Sequence, residues 1–438
     1  MTFAATTRWT STAESGEPVS AIEDDTHAGR KADHRKWVTW QVLTNEHRFG
    51  VYFIGAALSN FGNWCQSLAG ILLVYRLTQS VFIVGLASVC QFIWPIVLGP
   101  WTGMVADRFN RRTVLIVTQV TAAVVSGVLA VLTMTELVDV PVALAAIALL
   151  GVLQSFQAPA QLALVPLLVA REHRELGLSL SSSQFNLARA IGPVIASGLI
   201  LVGDLGTPFL FNSASFIVFV VLLRFTRPLP QEMPKERPRL RHTLAAVMSE
   251  RALLPLLAIG FVVSGSTDSV STIGPAISVE LTGTDTWAGG FIAGFGAGAT
   301  VGAFWLVPLL QRVRRRLPWT IGAQALGALL FAMAPAPGYA LAGCVVFGAG
   351  FILSSNRALS TVQSLISPEL FGRVMAVWLM AFLGGRAFYA LVGGAIANAS
   401  GPRVAALVVV GTIALAAIGG WMLGSRKRTP RTAVPPDR

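Results

Sequence analysis

Apolar residues along this chain fall into long runs separated by short polar breaks. The runs span roughly 49–75, 81–105, 113–137, 141–168, 177–203, 207–226, 252–279, 286–310, 317–336, 338–364, 373–399 and 402–424. Each supplies the ~20 residues that a helix needs to cross the hydrocarbon of a bilayer. The pattern therefore predicts an all-α membrane protein with twelve transmembrane helices. Residues 227–251 interrupt the runs with Pro228, Pro230, Pro234 and Pro238, so they are expected to form a linker between two sets of six, with a short surface helix from about Thr243. Residues 1–48 and 425–438 flank the runs as polar tails, the first expected to be disordered. The segment before residue 49 lacks an apolar centre and does not read as a signal peptide. The expected domains are thus an N-terminal bundle at 49–226 and a C-terminal bundle at 252–424.

Charge then orients the helices. Of 33 Lys and Arg, 28 fall in the tails and alternate loops of one side, whereas only Arg76 and Arg403 fall on the other, and Arg189, Arg357 and Arg386 lie within spans. Positive residues accumulate on the cytoplasmic side, so both termini are expected there. Only 12% of residues are charged and 54% are hydrophobic, against about 25% charged in soluble domains. The net charge of +12 is thus topology, with no basic face for nucleic acid.

The halves repeat one another. Leu77-Thr78 with Gly85 recurs as Leu281-Thr282 with Gly289, and Arg189-Ala190 recurs as Arg386-Ala387. Such repeats place a substrate site near the midplane where the halves meet.

Chemistry-bearing residues are few. Cys65, Cys90 and Cys344 sit in apolar runs, and His27, His34, His47, His173 and His242 lie outside them. Neither set forms a metal pattern, so no cofactor or metal is expected. No GxxxxGK phosphate loop is present, and no nucleophile–base pattern points to an enzyme. Asp268 is the one acid deep in a span. A charge in hydrocarbon costs about 2.5–3.5 kcal/mol on insertion scales and usually carries function. Asp268 is therefore a candidate proton or substrate group, or else one arm of a fixed ion pair with an arginine. Arg189, Arg386 and Arg357 are read as its partners, as anion contacts or as donors to backbone carbonyls. Asn60 and Asn63 are further candidates, although amides in spans commonly join helices.

Between the second and third runs stands Gly103-Met-Val-Ala-Asp107-Arg108-Phe-Asn110-Arg111-Arg112. This resembles the signature loop of the major facilitator superfamily, with Asn110 where that family often has Gly. The resemblance implies two six-helix bundles around a central cavity. It also implies a cytoplasmic gate in which Asp107 meets the start of helix 11 near Gly372-Arg373. The plainer alternative is that Arg108, Arg111 and Arg112 only enforce topology. Helix 5 carries Arg189-Ala-Ile-Gly192-Pro193, then Ala196-Ser197-Gly198, which resembles in part the helix 5 motif of the superfamily's proton-driven exporters. Ser59-Asn60-Phe61-Gly62-Asn63-Trp64, Tyr75-Arg76-Leu77-Thr78 and Pro368-Glu369-Leu370-Phe371-Gly372-Arg373 resemble the macrolide-efflux and enterobactin-exporter branch. That branch often has an acid where Asn63 stands.

The resemblance implies a monomeric, proton-coupled exporter of small amphiphilic or apolar organic compounds, working by alternating access. Drugs or antibiotics are the first expected cargo, with a siderophore or metabolite second. An importer of the same fold, or a non-transporting membrane sensor or scaffold, are the alternatives. The abundance of Arg, Ala and Val with few Lys fits a GC-rich bacterial genome, hence an inner or plasma membrane.

Overall fold

The computed structural model describes residues 40–44, 48–230, 253–310, 317–366 and 371–425. The surface helix expected from Thr243, the basic stretch Gln311–Arg316, the loop Pro368–Leu370 and most of both tails lie outside these residues. Among the described residues from Phe49 onward, twelve helical rods follow in order. They are α1 (Phe49–Thr78), α2 (Val81–Val97, continued by Gly99–Arg108), α3 (Arg111–Met134), α4 (Val140–Leu167), α5 (Arg174–Val202) and α6 (Thr207–Phe225). The second half holds α7 (Leu253–Thr282), α8 (Thr286–Leu306), α9 (Leu317–Ala332), α10 (Pro337–Gln363), α11 (Phe371–Ser400) and α12 (Pro402–Ser425).

Every apolar run of the sequence became one rod. Among the described residues nine helices are long and apolar enough to cross a membrane, and α2 and α9 are shorter apolar rods. The 30-residue α1 has the length, but Asn60, Asn63 and Gln66 reduce its apolarity. Gln66 is engaged internally: it accepts from Asn212 of α6 at 2.9 Å and from Ser126 of α3.

Local chemistry sets the ends. Ser80 caps α2 by accepting from the amide of Ile83, and Asp139 caps α4 by accepting from that of Val142. Asn110, which stands where the resembled family often has Gly, is extended, at φ −61° and ψ 116°, and its side chain accepts from the amides of Arg112 and Thr113 to cap α3. Gly283 and Gly401 end α7 and α11 at φ 76° and φ 91°, a conformation that a Cβ disfavours. Residues 40–44, within the segment expected to be disordered, form a helical turn whose Val42 is buried against the same cluster as Phe49 and Leu115.

The two six-helix bundles meet along α2–α11 and α5–α8. Small residues permit this approach. A Cβ on Gly394 would lie 2.6 Å from the carbonyl oxygen of Val81, and Gly85 faces the carbonyl of Ala390. Ser197 of α5 donates to the carbonyl of Gly289 in α8 at 3.0 Å. Arg76, at the end of α1, pairs with Asp285 between α7 and α8 at 2.8 Å. Between described residues, both hydrogen bonds that join the halves lie at the end away from the basic loops. Arg111 and Arg112, at the basic end, donate within their own half, to the carbonyls of Ala163 and Arg224 at 2.8 Å each.

Candidate functional site: a charged, aromatic cavity between the halves

Helix α7 is interrupted halfway. Its first segment ends at Gly265, a turn follows at Ser266 and Thr267, and Asp268 opens the second segment. The carboxylate thereby sits in the first turn of a helix, where the dipole favours negative charge. Gly265 lets α11 come close, because a Cβ there would stand 2.6 Å from the carbonyl oxygen of Gly385. Arg386 follows directly. Its Nε donates to Asp268 Oδ2 and its Nη2 to Oδ1, each at 2.8 Å. Asp268 is fully buried, and the Arg386 side chain is 11% exposed. Two parallel charge-assisted bonds are the strong form of this contact.

Arg386 also crosses to the other half. Its guanidinium carbon lies 4.0 Å from the centre of the Phe92 ring and 5.3 Å from that of Trp64. Arg189 makes the reciprocal crossing from α5, lying 4.5 Å from the ring centre of Phe351 and 5.5 Å from that of Phe382. Each repeat-related arginine thus stacks on rings of the opposite bundle, a cation–π geometry favoured by weak guanidinium hydration. Both arginines line one cavity of ≈ 60 Å³ between the halves, with Trp64, Pro193, Ser264, Thr267, Phe351 and Phe382.

The other expected residues are distributed as follows. Gly192 holds α1 close to α5, since a Cβ there would strike the Trp64 side chain, and Cys65 Sγ donates to the Gly192 carbonyl at 3.1 Å. Pro193 reaches the cavity. Gly198 is exposed, with nothing within 4 Å of a Cβ. Asn60 donates to Gln184 of α5 at 3.3 Å, joining helices. Asn63 lines a separate cavity of ≈ 30 Å³ inside the first bundle, among Gln66, Gln91 and Gln154. Arg357 is half-buried on α10 and does not line the central cavity. Gly103 and Asp107 lie on the Gly99–Arg108 continuation of α2, and Arg108 is exposed beside them.

Sequence reasoning singled out Asp268, Arg189 and Arg386 but missed the four rings that hold the arginines, and missed Ser264. An aromatic residue in an apolar run carries no signal of its own. The glycine pair Gly384-Gly385 beside Arg386 was the available clue to a close approach.

The sequence profile described as Major Facilitator Superfamily matches residues 52–388. The chain belongs to the Major Facilitator Superfamily. It is therefore a multi-pass membrane transporter and not an enzyme. Macrolide efflux protein A of Streptococcus pyogenes is 21% identical over 354 residues, 78% of this chain and 86% of that protein. Enterobactin exporter EntS of Citrobacter koseri is 26% identical over 335 residues, 72% of this chain and 79% of that one. Among solved structures, a bacterial homologue of the human lysosomal transporter Spinster, inward-facing and unoccupied, superposes with a TM-score of 0.68 at 12% identity. The match covers 86% of this chain and 96% of that chain. The resemblance to the macrolide-efflux and enterobactin-exporter branch is thus matched by relatives, and the superfamily fold by structures.

Proposed function

We propose that this superfamily member exports small amphiphilic organic compounds, drugs or antibiotics foremost, from the cytoplasm by alternating access. The observation that carries this reading is the cavity walled by Arg189, Arg386, Phe351 and Phe382 between halves that are bonded at the end away from the basic loops. If the basic loops are cytoplasmic, the closed end is external and the cavity takes cargo from inside. The 28-to-2 distribution of Lys and Arg supports that orientation, with both termini in the cytoplasm of a bacterial inner or plasma membrane. Asp107, with Arg108, Arg111 and Arg112, would hold the halves together at the basic end in the opposite state. The relatives named for macrolide efflux and enterobactin export support the outward direction.

The transporter acts as a monomer energised by the proton-motive force. Proton antiport would use Asp268, because a proton there removes the charge that holds Arg386. A siderophore or metabolite cargo is the second reading, favoured by two arginines facing one carboxylate.

The test is flux of a dye and antibiotic panel in membrane vesicles of known orientation. Outward movement abolished by collapsing the proton-motive force supports the proposal. Inward movement establishes an importer, and absence of movement for every compound leaves the sensor or scaffold alternative.

A further inference from the structure

The charges at the cavity do not balance. Arg189 and Arg386 carry two positive charges, and Asp268 supplies one negative charge that Arg386 takes at both oxygens. Arg189 has no carboxylate and no hydrogen-bond partner among the described residues. Its guanidinium carbon lies over the rings of Phe351 and Phe382, and its N–H donors, the fork that matches a carboxylate, meet no acceptor among the described residues. A second, independent observation points the same way. The hydroxyl of Ser264 is fully buried and without a hydrogen-bond partner, and Ser264 lines the same cavity. Buried polar groups are nearly always satisfied, so unspent donors converging on one cavity point to an acceptor that arrives with the cargo.

We propose that the cargo is an organic anion with an aromatic or aliphatic body, whose carboxylate pairs with Arg189 while Asp268 keeps Arg386. A cationic cargo would meet two arginines and a carboxylate already engaged at both oxygens. A neutral cargo would leave Arg189 uncompensated in a low-dielectric wall. The rings of Phe351 and Phe382 that hold Arg189 would also cover the cargo body. This deepens the export reading and rests on it for direction.

The charge count has a consequence for energy. The loaded site is neutral and the empty site carries one positive charge. Return of the empty carrier therefore moves positive charge inward, which an inside-negative potential drives. The electrical part of the proton-motive force therefore favours export of this cargo.

The experiment uses two probes with one fluorophore and opposite charge, dansylglycine (anionic) and dansylcadaverine (cationic). Each is titrated onto the purified full chain and then assayed for flux in vesicles under a potassium diffusion potential. Saturable dansylglycine binding, weakened at least about tenfold in Arg189→Gln and partly recovered in Arg189→Lys, supports the proposal. Preference for dansylcadaverine, binding of neither probe, or Arg189→Gln binding like the wild type overturns it. The comparison of the two probes on the wild-type chain decides the question even where a variant fails to fold. Dansylglycine binding without flux keeps the anion site and removes the export reading. Outward flux of dansylcadaverine does the reverse.

Discussion

Asp268 and Arg386, 118 residues apart, form a two-bond ion pair inside the second bundle, and the same arginine rests on Phe92 of the first. One side chain thus ties α7 to α11 and leans on α2. Any change in the charge of Asp268 is felt at the contact between the halves, which is where an alternating-access protein must open and close.

Replacing Asp268 with Asn leaves Arg386 buried without its counter-charge. Removing one partner of a buried pair costs about 3–5 kcal/mol. Asp268→Asn is expected to lower the unfolding midpoint of the detergent-solubilised protein and to abolish transport. Adding Arg386→Gln should recover much of the stability and none of the transport. Thermal unfolding of the two single variants and the double variant measures this coupling; additive losses would show that the pair is not a unit.

Arg76 and Asp285 join the halves at the end away from the basic loops through a pair whose side chains are 47% and 20% exposed. Solvent screening limits such a pair to about 0–1 kcal/mol. Arg76→Ala is therefore expected to leave the unfolding midpoint nearly unchanged while shifting the balance between states by up to about fivefold. Labelling of single cysteines near that end reports the shift. The swap Arg76→Asp with Asp285→Arg should restore the wild-type rate.

Gly85 faces the backbone of Ala390 with no room for a larger side chain. Backbone cannot yield as a flexible side chain can, so Gly85→Leu should hold α2 and α11 apart. The expected result is a chain that folds but rests open at the end away from the basic loops. Spin-label distances between α2 and α11 would lengthen by several ångströms, and flux would fall at least about tenfold.

Asp107→Asn tests the proposed inner gate. The expected outcome is retained cargo binding with flux lost, since the central cavity is untouched. Binding and flux measured on the same preparation separate these; loss of both would place Asp107 in folding instead. Asp107→Glu should return part of the flux.

The helix order was legible because hydrocarbon demands length and apolarity of a span, and nine helices among the described residues meet that demand, with α2 and α9 as shorter apolar rods. Asn110 shows where local inference stopped: the sequence marked it only as standing at a frequent Gly position, whereas the neighbouring amides of Arg112 and Thr113 made it a cap. Asp268, Arg189 and Arg386 were legible as costly charges. Their roles were not, because three arginines stood as candidate partners and spacing along separate helices says nothing about distance across them. Gly198 belonged to a motif by sequence yet meets nothing within 4 Å of a Cβ, while Ser197 beside it bridges to Gly289.

The amino-acid sequence by itself determined the number of helices, the division into repeated halves and the rarity of buried charge, since each follows from what the bilayer excludes. Only the tertiary structure decided that Asp268 takes Arg386 and that Arg189 is left to two phenylalanine rings. It also decided that the halves are bonded at the end away from the basic loops. Those outcomes depend on which helix faces approach, and a glycine at 265 beside a glycine at 385 acts only once the chain has brought α7 against α11.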